Sequence, residues 1–269
     1  MLTRTAADLA TAAEVFNSLA PYYDAFTADF KYESWMSDVD AWAQAHGLRG
    51  RQLLDAACGT GNSFMPMLDR GYEIVACDIS PAMVARAREK AAGRAEVVVA
   101  DLRALPWRDR FDLVTCVDEP MNYLLTQEDL VRAMTCIGRA LRPGGLAVLD
   151  FNSLAAFRTD FADEFTIESQ GTTFRWRGEA SRHMPPGSLA STTIERLSPG
   201  GRPVCIGRHV QRHHSVEAVA KACTEAGIEL LETRGETPEA GLVPGPDEST
   251  HLRFACIAQR PRRRRVACR

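Results

Sequence analysis

The sequence predicts an α/β protein built on a Rossmann-like, doubly wound, mostly parallel sheet of seven strands. Two observations lead to this fold class. Short apolar runs alternate with amphipathic helical segments, which is typical of a parallel sheet covered by helices on both faces. The first apolar run, at Leu53 and Leu54, continues directly into a turn that contains Gly59 and Gly61. A ligand can lie directly against such a turn, because glycine has no side chain and the amides of the next helix face the ligand.

The other core elements follow from the same pattern. Strands are predicted at 72–78, 97–101, 111–117, 146–150, 228–232 and 252–258. Ser80 and Pro81 predict the start of a helix that reaches Lys90, since serine caps helices and proline favours their first turn. A later helix is predicted by apolar residues at helical spacing, namely Leu130, Met134, Ile137 and Leu141. A last helix is predicted at 216–226, so strands and helices alternate as a doubly wound sheet requires.

Residues 153–212 follow a different pattern. A helix is predicted at 153–161, and strands are predicted at 164–168, 172–180, 189–197 and 204–211. Turns at 185–187 and 198–201 contain the proline and glycine that suit hairpins. We therefore expect N-terminal cap helices and the cofactor-binding core at 1–152, an antiparallel lid inserted after the fifth strand at 153–212, a return to the core at 213–259 and a basic, disordered tail at 260–269.

Two acidic residues indicate what the glycine turn binds. Asp78 ends the second strand 17 positions after Gly61, which is near the spacing at which a carboxylate reaches a ribose diol. Asp55 either contacts the ligand or fixes the glycine turn through hydrogen bonds. A dinucleotide site needs a third small residue in the turn, but Phe64 stands at that position. The pattern therefore favours a ligand with a ribose and disfavours a nicotinamide dinucleotide.

These motifs resemble those of the class I S-adenosylmethionine-dependent methyltransferases. The run from Asp55 to Gly61 is similar to their motif I, and the run from Asp78 to Met83 is similar to their second motif. The resemblance implies S-adenosylmethionine as cofactor, with Asp101 at the adenine amino group and Met83 on the adenine side. It implies a cofactor site formed by Tyr22, Ala57, Gly59, Gly61, Asn62, Asp78, Ile79, Met83, Asp101, Leu102 and Val117.

Candidate catalytic residues come from three segments. Glu119 follows the fourth strand, beyond the carboxyl end where ligands bind in such sheets, and is the first candidate for proton transfer. Family members that act on nucleic acids or protein amides carry Asn-Pro-Pro-Tyr or Asp-Pro-Pro-Tyr here, and residues 118–121 depart from that pattern. Tyr23 belongs to a Tyr-Tyr-Asp segment that resembles the family's cofactor-covering helix. His183 and His214 are further candidates, because histidine accepts protons near neutral pH.

The substrate is expected to be a small molecule in contact with Trp35, Asn122 and Tyr123. The lid resembles that of small-molecule N-methyltransferases acting on glycine or amino sugars, in several of which the inserted sheets pair subunits, so a homodimer is a further expectation. We expect methyl transfer to a nitrogen or an electron-rich carbon, such as an indole ring, in secondary or amino-compound metabolism. The alternatives are a small-molecule O-methyltransferase, an NAD(P)-dependent oxidoreductase and a cofactor-binding protein without turnover.

The composition indicates a cytoplasmic enzyme. A net charge of −3 and a pI near 6.1 give no general nucleic-acid footprint, and the basic run at 260–265 is expected to be a solvated end. No apolar run approaches the roughly 18 residues of a membrane span. Eight cysteines occur without a Cys-x-x-Cys pair. We therefore expect reduced, buried thiols and no metal site, disulfide frame, membrane or nucleic-acid partner.

Overall fold

The computed structural model describes residues 11–237 and 241–262, and within them the chain forms two sheets. The strands are β1 (Gln52–Ala56), β2 (Glu73–Asp78), β3 (Glu96–Val99), β4 (Phe111–Cys116), β5 (Leu141–Asn152), β6 (Glu164–Ser169), β7 (Thr172–Gly178), β8 (Leu189–Leu197), β9 (Pro203–Arg212), β10 (Glu229–Thr237), β11 (Gly241–Pro244) and β12 (Arg253–Gln259). The α-helices are α1 (Ala12–Leu19), α2 (Tyr23–Phe26), α3 (Tyr32–Ala45), α4 (Met65–Asp69), α5 (Pro81–Ala91), α6 (Gln127–Ala140), α7 (Leu154–Arg158) and α8 (Val216–Glu225).

The larger sheet is the Rossmann-like core that the sequence predicts. Its strand order is β11-β10-β12-β5-β4-β1-β2-β3, with β1 to β5 parallel and β12 antiparallel to both β5 and β10. The predicted count of seven strands is wrong by one, because Gly241–Pro244 pairs with the outer edge of β10. Four residues that begin with glycine and end with proline have the signature of a turn, so the sequence gives no strand signal there.

Helices cover both faces of this sheet, as expected. One face packs against α3 and α5, and the other packs against α6 and α8. Leu130, Met134 and Ile137 of α6 are fully buried, which is the result of their helical spacing. The central strand β4 is buried along its whole length. Because β1 to β4 are parallel, their carboxyl ends meet at one edge of the sheet, where the site described below is located.

The antiparallel sheet predicted after the fifth strand is present as β6 to β9. Phe174 and Ile194 of this sheet are buried in a cluster with Leu19 at the end of α1. α1 also crosses β9, where Val15 is 3.1 Å from the position that a Cβ on Gly207 would occupy. The N-terminal segment therefore packs against the lid.

Arg260, the first residue of the predicted basic tail, is hydrogen-bonded to the core. The backbone N–H of Arg260 donates to the carbonyl of Gly145 at 3.0 Å, and its guanidinium donates to the Leu141 carbonyl and to Asp109. Arg260 is therefore held against the chain beyond α6. Residues 263–269 of the predicted tail lie outside the described residues.

The cysteines behave as small apolar side chains. Those at positions 58, 77, 116, 136, 223 and 256 are free and buried. Burial raises the pKa of the Cys77 thiol to about 12, so this thiol stays protonated and unreactive near neutral pH. None of the helices within the described ranges is both long and apolar enough to cross a membrane.

Phe254 tests how far the core depends on the antiparallel strand β12. Its ring is fully buried and stacks on Phe151 of β5, with ring centroids 5.0 Å apart. We expect Phe254→Ala to lower the free energy of unfolding by about 3–5 kcal/mol, because it leaves a cavity in the core. Urea unfolding measures the change, and Phe165→Ala, at a ring that is 39% exposed, should cost less than about 1 kcal/mol. Equal losses in the two variants would contradict this account of the core.

Candidate active site

The glycine turn after β1 has a backbone that excludes most side chains. Ala57, Gly59 and Gly61 all have positive φ, at 62°, 53° and 95°. A Cβ on Gly61 would lie 2.7 Å from the Phe64 ring, and one on Gly59 would lie 3.4 Å from the Tyr23 ring. The positive φ therefore favours glycine at both positions, and at Gly61 the Phe64 ring also leaves no space for a side chain.

Asp55 and Asp78 have different surroundings. The buried Asp55 carboxylate accepts hydrogen bonds from the hydroxyls of Ser63 at 2.5 Å and Thr115 at 2.7 Å, which ties the glycine turn to β4. Asp78 accepts from the backbone N–H of Gly59 at 3.0 Å and of Ser80 at 2.8 Å. Burial raises the pKa of each carboxyl to about 6. Asp78 lines the cavity described next, whereas Asp55 lies beneath the turn.

A cavity of about 330 Å³ lies at the carboxyl ends of the parallel strands. Nine of the residues singled out from the sequence line it: Tyr23, Ala57, Gly59, Asp78, Ile79, Asp101, Leu102, Val117 and Tyr123. The strand-end rule for parallel sheets therefore brings the predicted residues of four separate segments together. Phe16 of α1 and Val210 of β9 also line the cavity. The N-terminal segment and the lid therefore form one side of it.

Two tyrosine hydroxyls converge on Asp118, which the sequence analysis did not single out. The hydroxyls of Tyr23 and Tyr32 donate to Asp118 Oδ2 at 2.9 and 2.8 Å. Burial and the nearby Asp118 charge raise the pKa of both tyrosines well above their usual value, so both stay protonated and donate. These bonds hold the Tyr23 ring over Gly59, and the ring forms the wall of the cavity next to the glycine turn.

A second polar contact fixes the N-terminal segment. The Asp24 carboxylate accepts from the Thr60 hydroxyl, from Asn62 Nδ2 at 3.1 Å and from Lys90 Nζ at 3.0 Å. Asn62, predicted to contact the cofactor, is thus held by Asp24 and Lys90 beside the turn and does not line the cavity. Asp24 therefore joins α2 to the glycine turn and α5.

Glu119 lies outside the cavity, although it was the first candidate for proton transfer. Its carboxylate pairs with the guanidinium of Arg253, which also lies 3.3 Å from Asp150 and 3.5 Å from Asp118. The backbone explains the difference. Asp118 and Glu119 both have positive φ, at 72° and 56°, and both amides donate to Asp150, at 3.0 and 2.8 Å. Asp118 lines the cavity and Glu119 faces the ion pair.

Five other predicted residues lie away from the cavity lining. His183 is exposed, and Tyr22 packs under the Arg196 guanidinium, 5.2 Å from the ring centroid. His214 is buried, with Nε2 bonded to the Leu124 carbonyl at 2.8 Å. Trp35 and Met83 are buried apolar residues. These five side chains therefore lie outside the lining of this cavity, and their predicted contacts with a ligand stay predictions.

Asn122 and Tyr123 have separate roles in the structure. Asn122 is fully buried, and it joins β5 to β9 by accepting from the Asn152 N–H at 2.9 Å and donating to the Arg212 carbonyl at 2.8 Å. Tyr123 lines the cavity, and its hydroxyl bonds His209 Nδ1 at 2.8 Å. Asn122 thus positions the short helix that carries Tyr123.

His209, the partner of Tyr123, is a second polar residue that the sequence did not single out. His209 lies on β9 and is 2% exposed, and its other nitrogen, Nε2, has no hydrogen-bond partner. Burial lowers the pKa of His209 to about 4, so the imidazole is neutral at pH 7. Phe16 packs against both rings, with centroids 5.0 Å from Tyr123 and 5.4 Å from His209. The pairing of β9 with β8, which brings His209 to Tyr123, is not readable from the sequence.

Comparison with known proteins identifies the core. Residues 53–145 match the family model described as a methyltransferase domain. The chain is 35% identical over 129 residues to the cypemycin N-terminal methyltransferase of a Streptomyces species, covering 47% of this chain and 53% of that protein. It is 25% identical over 221 residues to the dTDP-3-amino-3,6-dideoxy-alpha-D-glucopyranose N,N-dimethyltransferase of Streptomyces fradiae, covering 80% and 84% of the two chains.

Solved structures provide a second comparison, of the fold. A S-adenosylmethionine-dependent methyltransferase from Clostridium acetobutylicum has a similar structure, with a TM-score of 0.74 at 21% identity, covering 91% of this chain and 99% of that one. The matched domain contains the glycine turn, Asp78, Asp101 and Asp118, which line the cavity. The chain therefore carries a methyltransferase domain, at residues 53–145, on the fold of a S-adenosylmethionine-dependent methyltransferase.

Asp78 is the residue whose removal tests the cofactor side of the cavity. We expect Asp78→Ala to weaken the binding of S-adenosylhomocysteine by about 1–3 kcal/mol, because it removes the carboxylate that would accept hydrogen bonds from the ribose hydroxyls. Isothermal titration calorimetry measures the affinity. Asp112→Asn, at a buried β4 carboxylate outside the cavity, is the matched control and should leave the affinity unchanged. Equal affinity of Asp78→Ala and the wild type would contradict the assignment.

The affinity for S-adenosylhomocysteine should also depend on pH. The pKa of Asp78 is raised to about 6 by burial, so its carboxylate is ionised above that pH and becomes protonated below it. We expect the affinity to fall several-fold as the pH drops from about 7 to about 5, because a neutral carboxyl is the weaker acceptor. Calorimetry across this range measures the effect. Asp78→Asn should flatten the profile, and an unchanged slope in that variant would contradict the role of Asp78.

Proposed function

We propose that the chain transfers a methyl group from S-adenosylmethionine to a nitrogen atom of a small molecule. The observation that carries the proposal is the neutral Tyr123–His209 pair at the cavity wall. Two relatives support it, because one is named for methylation of an N terminus and the other for N,N-dimethylation of an amino sugar.

The cavity residues fit the cofactor. Gly59, whose φ is 53°, has no side chain between the turn and a ligand. Asp78 and Asp101, which lie at the ends of neighbouring strands, both line the cavity. In this proposal Asp78 accepts from the ribose hydroxyls, Asp101 accepts from the adenine amino group, and Leu102 lies beside the base. Bound S-adenosylmethionine supplies an activated methyl group on a sulfonium. The remaining work of the protein is to align the acceptor, exclude water and receive a proton.

Tyr123 and His209 are suited to the proton transfer. The pKa of the Tyr123 hydroxyl is raised by burial, so it donates to His209 Nδ1 rather than ionising, and its oxygen lone pairs remain acceptors. The acceptor nitrogen can therefore donate its N–H to the Tyr123 oxygen. A proton that leaves the nitrogen can pass to the Tyr123 oxygen while the Tyr123 hydroxyl proton passes to His209. Both side chains are neutral before this transfer.

The strength of this base favours nitrogen over oxygen. A neutral amine loses its proton only after the new bond has begun to form, so a weak base is sufficient. An alcohol has to lose its proton earlier and needs a stronger base than an imidazole whose pKa burial lowers to about 4. O-methylation is therefore the less favoured activity, and methylation of an electron-rich carbon remains compatible with the same weak base.

Substitution of the pair tests the proposal. We expect Tyr123→Phe to lower kcat by about a hundredfold while leaving the affinity for S-adenosylhomocysteine unchanged, because it removes the proton acceptor and keeps the ring. Tyr72→Phe is the matched control, since the Tyr72 hydroxyl bonds Asp40 outside the cavity. His209→Asn keeps an acceptor beside the hydroxyl and should lie between the wild type and Tyr123→Phe.

Amine turnover with S-adenosylmethionine provides the assay for these variants. Mass spectrometry of the product locates the added methyl group. If Tyr123→Phe turned over at the wild-type rate, the Tyr123–His209 pair would have no part in the mechanism. Product methylated only at oxygen would contradict the proposed function.

A further inference from the structure

The part of the cavity beyond the glycine turn has an apolar wall. Its side chains come from α1, the segment after β4 and the lid strand β9, and they are Val15, Phe16, Pro120, Leu124, Leu125 and Val210. These side chains offer no hydrogen bond to a polar head group. A charged group buried against them without a partner loses hydration that nothing replaces.

The ionised residues of the lining are mostly acidic. The carboxylates are Asp78, Asp101, Asp118 and Asp129, and Arg103 is the only cationic side chain among the described lining residues. Arg103 bonds Asp101 at 2.7 Å and Asp129 at 3.2 Å, so its charge is already compensated. An anionic group on the acceptor would therefore meet like charge and no uncommitted cationic side chain among the described lining residues.

Asp118 adds to this charge balance on the acceptor side. Its carboxylate shares the single guanidinium of Arg253 with Glu119, Asp150 and Glu236. Burial raises the pKa of Asp150 well above its usual value, but Asp118 and Glu119 still outnumber the one guanidinium, so negative charge is in excess directly behind the cavity wall. A protonated amine that approaches this wall is attracted, whereas a carboxylate or phosphate is repelled.

From this lining we infer that the acceptor is an amine on an otherwise apolar molecule, without a carboxylate or phosphate group. Its protonated form is attracted to the wall, and its neutral form, after that proton has been lost to water, attacks the methyl group. The inference rests on the proposed N-methylation and adds the class of amine. Arg212 lies next to the wall but donates from Nη1 to the Leu125 carbonyl, at 3.3 Å. An anionic acceptor would have to draw this guanidinium away from the Leu125 carbonyl in order to pair with it.

Pairs of amines that differ only by a carboxylate provide the test. The full-length enzyme is assayed with S-adenosylmethionine and with tryptamine against tryptophan, phenethylamine against phenylalanine, and tyramine against tyrosine. We expect kcat/KM to be higher by at least about tenfold for the member of each pair that lacks the carboxylate. Leu125→Lys places a cation in the wall and should reduce this ratio, whereas Leu125→Met, of similar volume, should preserve it.

The outcomes separate the two proposals. N-methylation that favours the amino acids, or that does not distinguish the pairs, overturns this inference and leaves the proposed function standing. Transfer to none of the amines by an enzyme that binds S-adenosylhomocysteine also overturns the inference. Transfer confined to oxygen or carbon overturns the proposed function instead. A ratio that stays the same in Leu125→Lys would show that charge in the cavity does not set the preference, which contradicts the inference.

Discussion

The cavity at the strand ends depends on the two hydrogen bonds that Tyr23 and Tyr32 donate to the Asp118 carboxylate. They connect the N-terminal segment to the end of β4, and they place the Tyr23 ring against Gly59. Hydrogen bonds to a charged group contribute about 1.5–3 kcal/mol each, which is enough to keep a short helix closed over the glycine turn. Without this contact the cavity would lose one wall and open to water.

The Asp118 carboxylate is itself held by an arrangement that has a conformational cost. Asp118 and Glu119 both adopt the left-handed backbone region, which costs about 1–3 kcal/mol at each non-glycine residue. Asp150 accepts both of their amides, and Arg253 lies among the carboxylates of this turn. The buried ion pairs that were not anticipated from the sequence thus offset the cost of the turn that directs Asp118 into the cavity.

The cofactor side of the cavity was predictable because it follows from general rules. Parallel strands end at one edge, and a glycine turn followed by an acidic strand end places Gly59, Asp78 and Asp101 together. The acceptor side was not predictable in the same way. Two adjacent residues with positive φ decide that Asp118 rather than Glu119 faces the cavity, and the pairing of β9 with β8 decides that His209 meets Tyr123. Both depend on tertiary contacts between segments that are distant in the chain.

The central claim is that the glycine turn and Asp78 bind an S-adenosyl compound rather than a nicotinamide dinucleotide. Phe64 stands where the dinucleotide fingerprint requires a third small residue, and its ring packs against Gly61. Parallel calorimetric titrations of the wild-type protein with S-adenosylhomocysteine and with NADH test the claim directly. We expect micromolar binding of S-adenosylhomocysteine and no heat of binding with NADH. Binding of NADH alone would contradict it and would assign the cavity to an oxidoreductase.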